Sequence, residues 1–313
     1  MKSYKNKNSL RIWKIIIVSI ILFISLSYLI TKAVYNICFP RYDEKADIPV
    51  ELIGLADIRQ PVEFYSGDYL LRGHIYRDEE AEGIVIVAPG FRASEDDYLW
   101  QINSLYEFGW DVLSFDTTGS CTSEGNSSIG FSQELIDLDA ALDYIEKNYN
   151  YDNIFIFGHS RGGYAACGVL NSGHRINAVV SVAGINSAME AIMQPAQNYV
   201  GVLAYGNYPF LWLYQSALFG TDVMDIHADE QISDAKVPTL IVQGVNDDVA
   251  PIDSCSIYSH RDEIYSDCVE YYICDTPGQD GHTDLLFNND GTANDVLMNI
   301  INQFYRKNTA VSN

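Results

Sequence analysis

The chain has 313 residues, 48% of them hydrophobic and 19% charged, which is enough apolar side chain for a sizeable core and argues against global disorder. Its first 40 residues carry six of the 19 basic residues and none of the 42 acidic ones, so the remainder holds 13 basic residues and a net charge of −29. A surface this acidic repels phosphate backbones and argues against a nucleic-acid partner.

Near the N-terminus, Ile15 to Thr31 contains no charged residue. These 17 residues would span about 26 Å as a helix, against a hydrocarbon core of roughly 30 Å. Trp13 and Tyr28 suit the two interfaces, Lys32 can snorkel, and the apolar residues of Ala33–Phe39 can lengthen the span. A cleaved signal peptide competes with an uncleaved anchor. The run is longer than an ordinary signal core, and its small-x-small site, Ser25-Leu26-Ser27, lies inside it. The expectation is a basic cytoplasmic tail over 1–14, a single-pass signal anchor over 15–39 and a linker over 40–61. A globular domain over 62–313 would then lie on the extracytoplasmic side of the cell membrane. The six cysteines form no C-x-x-C. In an exported domain Cys255 can pair with Cys268 or Cys274, and the sequence leaves that choice open.

From Val62 the pattern alternates strand and helix. Val62–Ser66 and Tyr69–Tyr76 read as an antiparallel hairpin turning at Gly67-Asp68. Gly83–Gly90 is a short apolar run that suits a buried strand, Tyr98–Phe108 a helix stopped by Gly109, and Trp110–Asp116 the next strand. Ser132–Tyr149 is an amphipathic helix with Leu135, Leu138, Leu142 and Ile145 on one face. Asn153–Gly158 reads as a strand, Arg161–Leu170 as a helix and Asn177–Gly184 as another buried strand. The alternation then breaks into a helical, aromatic-rich stretch from Ile185 to about Ser233. Val237–Gly244 restores the strand. Ile252–Arg261 reads as helical, Cys268–Asp275 as the last strand and Ala293–Tyr305 as the last helix. This order implies an α/β fold, a mostly parallel central sheet with helices on both faces.

Gly158-His159-Ser160-Arg161-Gly162 spells G-x-S-x-G between a predicted strand and a predicted helix. A serine hydroxyl is a weak nucleophile and needs a base, a group that orients the base, and donors for the oxyanion. The sharp turn needs small neighbours, and Gly158 and Gly162 supply them. An acid at the C-terminal end of a later parallel strand faces the same crevice, which selects Asp247, with Asp248 as its neighbour. His282 follows the last strand. The order Ser160, Asp247, His282 is that of a strand–turn–helix serine hydrolase.

The motifs APGFRAS, SFDTTGSCTSEG, GHSRGG, VPTLIVQGVNDDVAP and DGH occur in one order along the chain. On these, Val62–Tyr305 resembles the α/β-hydrolases, and within them the serine aminopeptidase-like, monoglyceride lipase-like and dienelactone-hydrolase-like proteins. The resemblance implies a helical cap at about 185–233, inserted between strands 6 and 7. It also implies an oxyanion hole made by the backbone amides of Phe91 and Arg161, with no cofactor and no metal. The family's His-Gly before the oxyanion donor is Pro89-Gly90 here, which alters how that loop is braced.

Blander roles compete for several residues. His159 reads as a packed residue beside the elbow, and His74, His174, His227 and His260 as surface or structural. Arg92 and Arg161 can bind a substrate carboxylate or pair with the acidic surface; pairing is the commoner fate. Asp116 reads as a tie for the loop after its strand. The cap aromatics can line an acyl pocket or pack the insertion. The resulting expectation is a membrane-anchored serine hydrolase cleaving a carboxylic ester of a small molecule. A short-peptide peptidase of the same fold and a non-catalytic binding module are the alternatives.

Overall fold

Eight strands form one sheet in the order β1-β2-β4-β3-β5-β6-β7-β8 in the computed structural model, which describes residues 2–46, 48–78 and 80–310. The strands are β1 (Arg59–Ser66), β2 (Tyr69–Tyr76), β3 (Ile84–Ala88), β4 (Asp111–Asp116), β5 (Ile154–His159), β6 (Ala178–Val182), β7 (Thr239–Gly244) and β8 (Val269–Cys274). Strands β1 and β2 form an antiparallel hairpin, β2 joins β4 antiparallel, and every pairing from β4 to β8 is parallel. β1 begins three residues before the expected Val62.

The helices are α1 (Lys2–Cys38), α2 (Val50–Ile53), α3 (Leu99–Glu107), α4 (Gln133–Asn148), α5 (Arg161–Gly168), α6 (Ala188–Val200), α7 (Ala204–Phe219), α8 (Thr221–Met224), α9 (Ala228–Ala235) and α10 (Asp295–Lys307). β3 is buried at every position because helices cover both faces of the sheet, so its side chains alternate between two cores. Ile84, Ile86 and Ala88 face one core with α4, α5 and the cap; Val85 and Val87 face the other with α3 and α10. The expected face of α4, Leu135, Leu138, Leu142 and Ile145, is buried in the first core. Helices α6 to α9 form the insertion between β6 and β7.

Three features depart from expectation. The stretch over 252–261 is a later 3-10 turn, Ile257–Glu263, not an α-helix. All six cysteines are free: Cys255 is buried in the loop after β7, whereas Cys274 ends β8 opposite Gly244. The segment over 40–61 is not a loose linker. Leu55 is buried, and Arg41 Nη1 donates to the carbonyls of Ser123 and Gly125 at 3.0 and 2.7 Å.

Helix α1 runs through the expected tail and anchor as one element, and the side chains of Lys2, Lys5 and Lys7 lie outside those described. Residues Ser9–Cys38 are long and apolar enough to cross a membrane, with 6% of the most apolar window buried against protein.

Candidate active site

The turn between β5 and α5 holds Ser160 at φ 56° and ψ −115°, a left-handed conformation that is strained for a residue with a side chain. Close packing forces it. A Cβ on Gly158 would collide with the Gly162 carbonyl, and one on Gly162 with the Ala88 carbonyl of β3. The two glycines therefore let the elbow press onto the sheet while Ser160 stands at the head of β5, 5% exposed.

Loops at the ends of β7 and β8 bring two side chains to this serine. His282 Nε2 lies 2.8 Å from Ser160 Oγ, and His282 Nδ1 lies 2.9 and 3.0 Å from the two oxygens of Asp247. A carboxylate only accepts, so it selects the tautomer protonated at Nδ1 and leaves Nε2 free to accept the serine proton. Asp247 is fixed in turn. Its Oδ1 accepts from the amides of Val249 and Ala250 at 2.9 and 2.7 Å, and its Oδ2 from Gln243 Nε2 at 2.9 Å. Asp248 next to it is exposed. Gln243, on β7, has no motif to reveal it; its role shows only once the turn after β7 folds back over the strand.

The cleft over Ser160 has a volume of about 270 Å³. Phe91, Arg92, Asp97, Tyr98, His282 and Phe287 are among the residues that line it. Among the described residues, the Phe91 and Arg161 amides donate to no other protein group. Arg161 opens α5, where the first amides of a helix have no partner within it and favour negative charge.

His159 is tied into this site, beyond mere packing. The Gly90 amide donates to Tyr98 Oη at 2.8 Å, and Tyr98 Oη lies 2.8 Å from His159 Nδ1. His159 Nε2 lies 3.0 Å from the backbone oxygen of His282. That oxygen only accepts, so His159 carries its proton on Nε2 and the Tyr98 hydroxyl donates to Nδ1. Burial, with the nearby His282 adding to it, pushes His159 down to about 3 and keeps it neutral. One chain of hydrogen bonds thus joins the loop of Phe91 to the loop of His282. It braces the place where the His-Gly pair is missing.

Arg161 has its side chain turned away from the cleft. It is buried against Glu134, Nη2 to Oε2 at 2.6 Å, and donates to Thr117 Oγ1 at 2.8 Å. Its guanidinium lies 5.7 Å from the centre of the Phe91 ring. The partner is an internal carboxylate of α4. Burial pushes the Glu134 carboxyl up, and the Arg161 guanidinium against it opposes that shift and favours the charged pair. Arg92 remains in the cleft wall.

Asp116 bridges two loops, accepting from the Glu95 amide at 3.0 Å and from the Thr122 amide at 2.9 Å. His74 meets Glu95 at 2.7 Å, and His174 sits between Glu146 and Asp139 at 3.0 and 3.1 Å. His227 precedes α9. None of the cap aromatics lines the cleft: Phe210 and Tyr214 pack on α1, while Tyr199 and Tyr205 are exposed. Two acid–histidine groups, Asp143/Glu146/His174 and Asp229/His260/Glu263, have the composition of metal ligands, but neither includes a cleft residue.

The family model described as "Serine aminopeptidase, S33" matches residues 79–209. No curated protein matches the chain by sequence. Among solved structures, the Pyrococcus furiosus esterase Pf2001 is similar with a TM-score of 0.67 at 18% identity, over 87% of this chain and 100% of that one. The α/β hydrolase GrgF from Penicillium sp. sh18 follows at 0.60 and 18% identity, over 80% of this chain and 99% of its own. Est1E from Butyrivibrio proteoclasticus, solved with ferulic acid, gives 0.58 at 16% identity, over 79% and 98%.

Proposed function

We propose that this chain, a serine hydrolase of the α/β-hydrolase superfamily, is a membrane-anchored esterase that cleaves small carboxylic esters through an acyl-enzyme. The observation that carries this is the unbroken series Asp247–His282–Ser160, with contacts of 2.9 and 2.8 Å, at the floor of a cleft. Ser160 Oγ attacks the ester carbonyl as His282 Nε2 takes its proton. Asp247 holds the imidazole and stabilises its positive charge. The amides of Phe91 and Arg161 receive the oxyanion, worth about 3–4 kcal/mol for a single well-placed donor. His282 then protonates the departing alcohol, and water repeats the sequence on the acyl-enzyme. A cleft of about 270 Å³ is small for a ligand site, which favours a small group beside the scissile bond. The basic flank of α1 favours a cytoplasmic N-terminus and an extracytoplasmic catalytic domain.

A fluorophosphonate probe tests the chemistry. Labelling of the parent chain and its loss in Ser160→Ala are expected; no labelling of the folded parent would refute a catalytic Ser160 and leave a binding module. The family description and the two charged side chains in the cleft wall, Arg92 and Asp97, favour a second reading, a peptidase acting on short peptides. A panel of acyl esters against aminoacyl amides separates the two: turnover of the amides alone would replace the esterase assignment.

A further inference from the structure

The cap surface differs from the rest of the molecule. The 31 residues Ala191–Thr221 contain no charged side chain, in a chain with a net charge of −23. Water-facing surfaces ordinarily intersperse charges. This stretch is nevertheless exposed: Val202 and Leu203 at its tip are 80% and 77% accessible, and Tyr199, Tyr205, Trp212 and Leu213 are open as well. Outside α1 and Tyr199–Leu218, only six large apolar side chains are exposed among the described residues. Exposed apolar surface is therefore concentrated on two elements, and patches of that kind mark contact surfaces.

Those two elements are packed together. Phe23 meets Phe210 edge to face at 6.3 Å between ring centres, and Tyr28 meets Tyr214 at 5.9 Å. Thr31 Oγ1 lies 2.8 Å from Asn207 Oδ1, and Tyr214 Oη donates to Asn36 Oδ1 at 2.8 Å. Gln215, the other amide of α7, donates to Met189 Sδ at 2.8 Å. Both amide side chains of α7 thus meet α1 or the cap interior, and its outward surface is free of charge, with the Tyr205 and Tyr208 hydroxyls as polar groups on it.

Depth follows from register. Phe23 precedes Lys32 by nine residues, about 14 Å along a helix axis, roughly half of a hydrocarbon core. With the charge-free run of α1 in the hydrocarbon, the residue that touches Phe23 is carried to that depth. A cap kept in water would have to release Phe23 and Tyr28. We infer that the cap, from Tyr199 through Leu218, is immersed in the same lipid leaflet as the outer half of α1, so that the protein holds the bilayer through two packed elements. The occupant of this surface is lipid acyl chain, with Tyr199, Tyr205, Tyr208 and Trp212 suited to the headgroup boundary. The inference rests on the reading of α1 as a membrane anchor. Immersion also places the cleft. Phe39, just past α1, packs on Phe91 of the cleft wall at 5.4 Å, so the catalytic serine opens close to the membrane surface.

The test is tryptophan quenching in the full chain, reconstituted into phospholipid vesicles whose acyl chains are brominated at shallow or deep positions. Trp13 lies on α1, Trp212 on α7, Trp110 is buried and Trp100 lies on α3. W13F and W212F, each matched to the parent by circular dichroism, assign the quenched emission by difference. Loss of most of the emission from both Trp13 and Trp212 is expected. Quenching of Trp13 without Trp212 overturns the immersed cap and leaves the anchor standing, with a protein partner or second copy on that face. Quenching of neither overturns the anchor and the inference together. Should W212F fail to fold, Leu203→Trp in the parent chain reads the same depth as added quenching, and its absence alongside a quenched Trp13 is equally adverse.

Discussion

Tyr98→Phe removes one oxygen and two hydrogen bonds, those to the Gly90 amide and to His159 Nδ1, each 2.8 Å long. Tyr98 is 3% exposed, so water has little access to replace them. A buried polar group left without a partner costs about 1–3 kcal/mol, which for two groups with some relaxation gives a stability loss of about 2–4 kcal/mol. The effect on catalysis has a separate origin. Gly90 precedes Phe91, whose amide is the proposed oxyanion donor, and His159 holds the His282 backbone in place. Deleting an oxyanion donor outright costs about 10²- to 10³-fold in kcat, so a donor displaced by a slackened loop should cost roughly 10- to 100-fold. Because the interaction matures in the transition state, KM should move by less than about threefold. His159 is held at about 3 by burial and His282, so it adds no ionisation near neutrality. The loss should be about the same factor from about pH 5.5 to 9. The assay is kcat and KM on a water-soluble short-chain ester, beside a urea melt on the same sample. A variant that loses stability but keeps kcat within about twofold would refute the positioning role and leave Tyr98 a packing residue.

Four further outcomes follow from the same geometry. Ser160→Ala or His282→Ala should lower kcat by at least about 10³-fold with an unchanged melt, and retained turnover would mean the nucleophile or base lies elsewhere. Asp247→Asn, which favours the wrong imidazole tautomer, should cost about 10⁴-fold in kcat with normal folding; a loss under tenfold would remove Asp247 from the mechanism. Glu134→Ala leaves Arg161 buried and unpaired, an expected loss of about 3–5 kcal/mol in urea denaturation, and a loss below about 1 kcal/mol would contradict the burial argument. His260 is raised from 6.5 to about 9, chiefly by its hydrogen bond to Glu190 on α6, with Glu263 and Asp229 adding to the pull. Its stabilising effect is therefore complete below about pH 6.5 and lost as pH rises through about 9. It amounts to about 1–2 kcal/mol after solvent screening, and His260→Gln should flatten that part of the stability–pH curve.

The grouping of the candidate site was legible where local sterics dictate residue type. A nucleophile on a strained turn demands glycine on either side, so Gly158 and Gly162 announce Ser160. Asp247 and His282 follow because strand ends are marked by apolar runs closing in glycine or aspartate, and parallel strands end at one edge. The inner strands β3 to β7 could be read because short, mostly apolar runs of five or six residues suit strands buried on both faces, and β1 and β2 because their apolar residues alternate on either side of Gly67-Asp68. What stayed hidden depends on distant pairs. Nothing near Arg161 names Glu134, 27 residues earlier, as its partner, and a surface pairing was the simpler expectation. The hydroxyl of Tyr98 meets His159 only because the loop after β3 folds over the elbow. The cysteines after β7 could not be assigned because pairing depends on which ends the sheet brings together, and here Cys274 and Cys255 belong to separate environments.

The apolar helix at the N-terminus shows why such patterns run out. Hydropathy measures a preference for leaving water and cannot distinguish lipid from protein as the destination. Helix α1 has both. The side chains described from Ser9 to Leu26 are exposed, whereas Tyr35 near its end and Phe39 just past it enter the same core as α4 and α5. Phe39 and Phe131 lie 5.4 and 5.5 Å from Phe91, so the residue just past α1 backs the wall that carries an expected oxyanion donor. Arg161, from the other side of that donor, lies over the same ring and is itself pinned by Glu134. The Phe91 loop is therefore held at three points: by the end of α1, by the α5–α4 ion pair, and by Tyr98 through Gly90. Through Phe39, the geometry of the Phe91 loop therefore depends on how the end of α1 is seated.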